Sequence, residues 1–222
     1  LDSRRVRAEK RKKEQENLEL DLRQKTSRVN MLEDMEKNME GYTGSVRAVM
    51  REAKRGSLRG IHGALSQLIS VPEQYAVAIE TAFGAALQNI VTDSEGDAKR
   101  AIQFLKETKG GRATFLPLSA VRGRMLEERG LAQCDGFVAV ASDLVKCDAT
   151  YEAVVKAQVG RTAVAEDMDC AIAIARKFSY RFRIVTLDGQ IINAGGSMTG
   201  GSRMQNAGFL SRSNEIEKLR TE

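Results

Sequence analysis

Near its C-terminal end the chain reads NAGGSMTGGSR, Asn193 to Arg203. Gly195, four residues, Gly200, Gly201 and Ser202 fall one residue short of the phosphate-binding pattern G-x-x-x-x-G-K-S. Gly201 stands where that pattern needs the lysine whose ammonium contacts the β and γ phosphates, and glycines alone only bring amides close. The loop should also open a helix whose N-terminal dipole faces the phosphate, yet RMQNAGF has no apolar period. IVTLD resembles a strand presenting a magnesium ligand, but Asp188 followed by Gly189 is better explained as a two-residue hairpin turn. Nucleotide chemistry is not expected from this tract.

Other reactive constellations are equally sparse. His62 is the single histidine, set between Gly60 and Gly63 in a strand-like run, and no G-x-S-x-G nucleophile elbow accompanies it. Glu127 with Glu128, and Glu166 with Asp167, are adjacent rather than spaced to converge, as on a solvated surface. Cys134, Cys147 and Cys170 match no zinc spacing and no small disulfide framework, so reduced structural thiols are expected. The expectation is a non-enzyme with no cofactor and no metal.

Two features remain. Short glycine-rich strands let another backbone approach closely, and an edge strand offers unpaired N–H and C=O groups to a second chain. Two copies of one surface can then pair about a two-fold axis. The second feature is a basic stripe of Arg47, Arg51, Lys54 and Arg55, with Arg59 beyond it, opposite an apolar face of Val46, Val49, Met50 and Ala53. Four positive charges on one helix face can neutralise phosphates without reading bases, and they equally suit a plain solvated face.

The elements that position these features follow from periodicity. Residues 1–40 hold 11 basic and 10 acidic side chains and, between Asp2 and Glu40, no glycine or proline. Leu18, Leu22, Val29, Leu32 and Met39 recur on four-and-three spacing, with Lys25 and Glu36 between them, as in a coiled-coil seam. GYTG, residues 41–44, ends that helix. A mixed α/β pattern follows. PEQYAVAIETAFG reads as a helix bounded by Pro72 and Gly84, and SEGDAKRAIQFLKETKGG as an amphipathic helix with Ala98, Ile102 and Leu105 inward. The pattern restarts after the arginine-rich segment Val121 to Arg129, which suggests a subdomain boundary. FRIVTL and QIIN form the hairpin at Asp188–Gly189, and LSRSNEIEKLRTE opens a second polar helix with Ser211 and Ser213 as candidate caps. No apolar run approaches membrane-spanning length and the N-terminal residues lack a signal-peptide core, so a soluble, cytoplasmic protein is expected.

The order coil, GSVRAV, GIHGALSQLISVPEQYAVAIETAFGAALQNIVTDSEGDAKRAIQFLK, GRATFLPL, RIVTLDGQIINAGGSMTGG, SRSNEI, coil resembles the hinge of structural maintenance of chromosomes (SMC) proteins of the bacterial condensin type. The likeness runs from about Gly44 to Ile216, nearly all of the globular part. It implies a mixed α/β hinge of two subdomains flanked by antiparallel coiled-coil helices. The expected division is residues 1–41 coil, 42–212 hinge (42–125 and 126–212), and 213–222 the start of the second coil. The resemblance further implies a homodimer with two contacts between partners, carried by Gly195, Gly196, Gly200 and Gly201. It implies sequence-independent DNA contact, for which Arg47, Arg51, Lys54, Arg55 and Arg203 are the plausible carriers here. The ATPase belongs to the heads of such proteins, and the setting it implies is the chromosome. A DNA-binding module whose self-association is incidental is the alternative.

Overall fold

The structure is a computed structural model that describes residues 2–202 and 208–221. It divides into a helical unit, up to Glu40 together with the residues from Glu215 onward, and a globular unit, Gly41 to Asn214. Helix α1 (Asp2–Lys37) runs without interruption, having no glycine or proline to break it. It ends where Met39 and Gly41 take left-handed φ values of 53° and 91°.

Helix α2 (Gly44–Lys54) is capped by the Thr43 side chain, which accepts from the Val46 N–H. There follow β1 (Ile61–Ala64), α3 (Leu65–Leu68), β2 (Ile69–Ser70), α4 (Ala76–Phe83), β3 (Ile90–Thr92), α5 (Glu95–Glu107) and β4 (Phe115–Pro117). A three-stranded sheet runs in the order β1-β3-β4; β3 and β4 are parallel because α5 crosses between them. Ser94 and Asp97 form a reciprocal capping box at the start of α5. Side chains alternate across the sheet: Val91 and Leu116 enter the larger core, and Ile90 is directed to the opposite side. Helices α2 and α5 pack side by side on that opposite side, burying Val46, Val49, Ala98, Ala101 and Leu105. Ile102, expected inward, is 52% exposed; Ala101 takes the inward position beside Ala98 and Leu105.

The second half contributes β5 (Phe137–Val140), β6 (Lys146–Cys147), α6 (Glu152–Val159), β7 (Thr162–Ala165), α7 (Met168–Lys177), β8 (Arg183–Thr186), β9 (Ile191–Ile192) and β10 (Met198–Thr199). These build a five-stranded sheet in the order β10-β9-β8-β7-β5, with β7 and β8 parallel and the other pairs antiparallel. One face, including Val164 and Val185, shares the larger core with α4, α6, Leu65 and Val91. The other, including Ala163, Ala165 and Ile184, packs on Ile174 of α7 and on Phe178 and Phe182. The two halves therefore share one interior, and β2 is laddered to β6 across them.

Helix α8 (Phe209–Thr221) begins in the globular unit and continues into the helical one. Its first turn contains Ser211, and Ser213 lies farther inside, so neither is the cap that their spacing suggested. In the helical unit α1 and α8 run antiparallel. Arg28 makes a bidentate pair with Glu215, at 2.7 and 3.1 Å, and Arg220 meets Glu33 at 2.6 Å. Leu32 and Ile216 are buried along the seam, while Leu18 and Leu22 are exposed and line an open groove with Val29 and Leu219.

Candidate self-association edge and basic face

The glycine tract forms the outer hairpin of the five-stranded sheet. β9 pairs with β10 in the register Ile192 to Met198 and Ile191 to Thr199. The connecting turn is closed by the Asn193 N–H, which donates to Ser197 O at 2.8 Å. Gly195 and Gly196 take φ of 87° and 95°, a region that costs residues with a Cβ about 1–2 kcal/mol. Their amides donate to Tyr180 O and Asn193 O, at 2.9 and 3.0 Å. These two glycines therefore make the turn rather than the strand.

Gly200 and Gly201 follow β10 and are held by a residue to which composition gave no pointer. The Gln190 side chain accepts from the Gly201 N–H at 2.8 Å and donates to Gly201 O at 3.4 Å, imitating a strand pair. A Cβ on Gly200 would collide with the Gln190 amide oxygen. Gln190 is in turn fixed by the hairpin, where its own N–H donates to Thr186 Oγ1 at 2.9 Å. The outcome is a terminal strand, β10, paired on one side only among the described residues, with Met198 52% exposed.

Behind this edge, two charged side chains lock helix ends to each other. Arg183 of β8 donates to the carbonyls of Ala82 and Thr81 at the C-terminus of α4, at 2.8 and 3.3 Å. Its buried Nε has no partner among the described residues, and burial pushes the guanidinium below its ordinary value. From α4, the buried Glu80 carboxylate accepts the N–H groups of Leu210 and Ser211, at 2.8 and 2.9 Å, and so caps α8 across 130 residues. Gly208 leaves the room for it, since a Cβ there would overlap that carboxylate.

The basic stripe lies on the outward side of α2, with Arg47, Arg51, Lys54, Arg55 and Arg59 all exposed. Arg55 is paired at the surface with Glu52 at 2.8 Å. Arg203 lies outside the described residues. His62 is bound at both ring nitrogens, to the Tyr151 hydroxyl at 2.9 Å and to Asp93 at 2.7 Å, and so bridges the two halves of the globular unit. The three cysteines are free and half-buried. Among the described residues no cluster of His, Cys, Asp or Glu could hold a metal, and no helix is long and apolar enough to cross a membrane.

Comparison with known proteins assigns this arrangement of sheets, terminal hairpin and antiparallel helices. Residues 58–175 match the family described as SMC proteins Flexible Hinge Domain. The chain belongs to the SMC hinge family. The hinge is 42% identical to the Chromosome partition protein Smc of Desulfitobacterium hafniense over 214 residues, which is 95% of the chain and 18% of the relative. It is also 42% identical to the Smc of Bacillus subtilis, over 89% of the chain and 17% of that relative. It thus spans less than a fifth of the length of either. Its fold is that of the Geobacillus stearothermophilus SMC hinge domain, solved as an asymmetric dimer, with a TM-score of 0.81 and 42% identity over 90% of this chain and 81% of that one. This hinge is a non-catalytic part of such proteins.

Proposed function

We propose that this hinge is the homodimerisation module of a chromosome partition protein, joining two coiled-coil arms. The observation that carries the reading is β10: a terminal strand with one free edge, an exposed Met198, and glycines on both sides that keep neighbouring side chains out of the way. Two copies meet twice about a two-fold axis, each β10 edge against the other subdomain of the partner. Gly195 and Gly196 set the hairpin, and Gly200 and Gly201 let the partner backbone approach. Dimer formation by the related Geobacillus stearothermophilus hinge supports this. The division into coil at residues 1–41 and 213–222, and hinge subdomains at 42–125 and 126–212, belongs to the same proposal.

The hinge also contacts DNA without reading its sequence and works at the chromosome, through the stripe Arg47, Arg51, Lys54 and Arg55 and through Arg203. The test is sedimentation equilibrium over a wide concentration range. The hinge is expected at twice the chain mass and Met198→Lys at a concentration-dependent mixture or a monomer, because a charge on an edge strand opposes pairing. A wild-type hinge that is monomeric at every concentration rejects the dimer. The exposed, uncompensated arginines of α2 favour the second reading, a DNA-binding module whose self-association is incidental. It would be favoured if Arg47→Glu with Arg51→Glu abolished function while the dimer persisted, and Met198→Lys removed the dimer while function persisted.

A further inference from the structure

A second row of cations stands beside the α2 stripe. Helices α2 and α5 cover the same side of the three-stranded sheet and run antiparallel. At one end the Ser45 hydroxyl donates to Arg112 O at 2.7 Å, which ties the segment after α5 to the start of α2. At the other end the Asp93 N–H donates to Gly60 O at 2.9 Å, bringing the start of α5 to the segment after α2. Their outward faces therefore form one surface. On it α2 exposes Arg47, Arg51 and Lys54. The neighbouring row exposes Lys99 and Lys106 on α5, and Lys109 and Arg112 just beyond it. Among the described residues none of these seven is ion-paired, whereas Arg55 and Arg100 are paired with Glu52 and Asp97. The exposed carboxylates beside them are Asp93, held by His62, and Glu95 at one end of α5 and Glu107 at the other.

The dimensions suit two phosphate strands rather than one. At 1.5 Å per residue the helical cations span about 11 Å on each helix, Arg47 to Lys54 and Lys99 to Lys106, and packed helices lie roughly 8–10 Å apart. That is a separation of helix axes, and the long Lys and Arg side chains extend from it to phosphates on both strands of B-form DNA, whose grooves are about 6 and 12 Å wide. A single strand would need one row and aromatic platforms, and the only aromatic side chain on either helix is the half-buried Phe104.

We infer that α2 and α5 together form a two-row cradle for the backbones of double-stranded DNA, with Lys99, Lys106, Lys109 and Arg112 as phosphate contacts alongside Arg47, Arg51 and Lys54. This rests on the DNA reading above and adds to it a second helix and a preference for duplex. The test is fluorescence anisotropy of the whole chain with a duplex of about 30 base pairs and a single strand of equal length, over a range of salt.

Lys99→Glu with Lys106→Glu should weaken duplex binding roughly tenfold or more at low salt. Lys99→Gln with Lys106→Gln should lower the slope of log affinity against log salt by about two. Arg47→Gln with Arg51→Gln should do the same, and dimer mass and melting temperature should stay at wild-type values. Duplex affinity unchanged in the α5 variants but lost in the α2 variant overturns the second row. Single strand bound as tightly as duplex overturns the duplex preference. Failure of the wild-type hinge to bind either polymer would instead sink the underlying DNA reading, together with this one.

Discussion

Gly200 is a glycine because of Gln190. The Gln190 amide fills the space a Cβ would need and uses that place to grip both backbone groups of Gly201. Gly200→Ala should displace it, costing about 1 kcal/mol of hydrogen bonding and loosening the end of β10. Gly195→Ala meets open space but must hold φ near 87°, a backbone cost of about 1–2 kcal/mol. Sedimentation equilibrium is expected to find both dimers weakened, with circular dichroism spectra unchanged. Gln190→Ala should reproduce the Gly200→Ala effect, because both remove the same grip. Asp97 provides a pH dependence at this scale. The Ser94 hydroxyl, helped by Arg100 and opposed by burial, holds its carboxyl below the usual range. A carboxyl depressed in the folded state stabilises above its unfolded value, about 3.9, and that contribution is lost as pH falls through the folded value. Thermal denaturation should therefore find Asp97→Asn less stable than wild type at about pH 7, with the gap narrowing as pH falls below about 3.9.

At the scale of elements, α8 is capped by Glu80 of α4, and α4 is capped by Arg183 of β8. A strand next but one to the free edge is thereby linked to the helix that leaves the globular unit. Glu80→Ala leaves two N–H groups in α8's first turn without their acceptor and should cost about 1–3 kcal/mol. Hydrogen exchange is expected to show Leu210 and Ser211 losing protection while β7 and β8 keep theirs. If those amides stay protected, the Glu80 carboxylate is not the cap. The α1 and α8 pair is held more lightly, since Arg28 with Glu215 and Arg220 with Glu33 are surface pairs. Such pairs contribute roughly 0–1 kcal/mol each, so Arg28→Ala should leave the melting temperature of the globular unit unchanged.

For the whole molecule, two consequences follow from separate surfaces. The free edge lies on the five-stranded sheet, while the substituted cations of α2 and α5 lie on the helices covering the three-stranded sheet; Arg203, which follows Gly201 and Ser202 in sequence, is not among the residues substituted. Substitutions at one should therefore leave the other's function intact. Met198→Lys is expected to lower the sedimenting mass and keep the salt slope of duplex binding per chain, and the α5 charge variants to do the reverse. Coupled losses in both assays from either variant would contradict that separation.

The periodicity of Asp2 to Glu40, the helix signals around Pro72, Gly84 and Ser94, and the Asp188–Gly189 turn are local, and each was legible in the residues alone. Tertiary structure decided whatever depends on residues far apart in the chain. Ile102 shares its helix period with Ala98 and Leu105, but only the position of the sheet beneath α5 determines that Ala101 turns inward and Ile102 out. Ser211 and Ser213 look like caps, yet the acceptor is Glu80, 130 residues away. Gln190 carries no motif and acts through its distance to Gly201, and Lys99 and Arg112 join the basic face because α5 lies antiparallel to α2. Local conformation follows from each residue's own backbone preferences, whereas these partnerships exist only once the folded chain has brought distant segments within hydrogen-bonding reach.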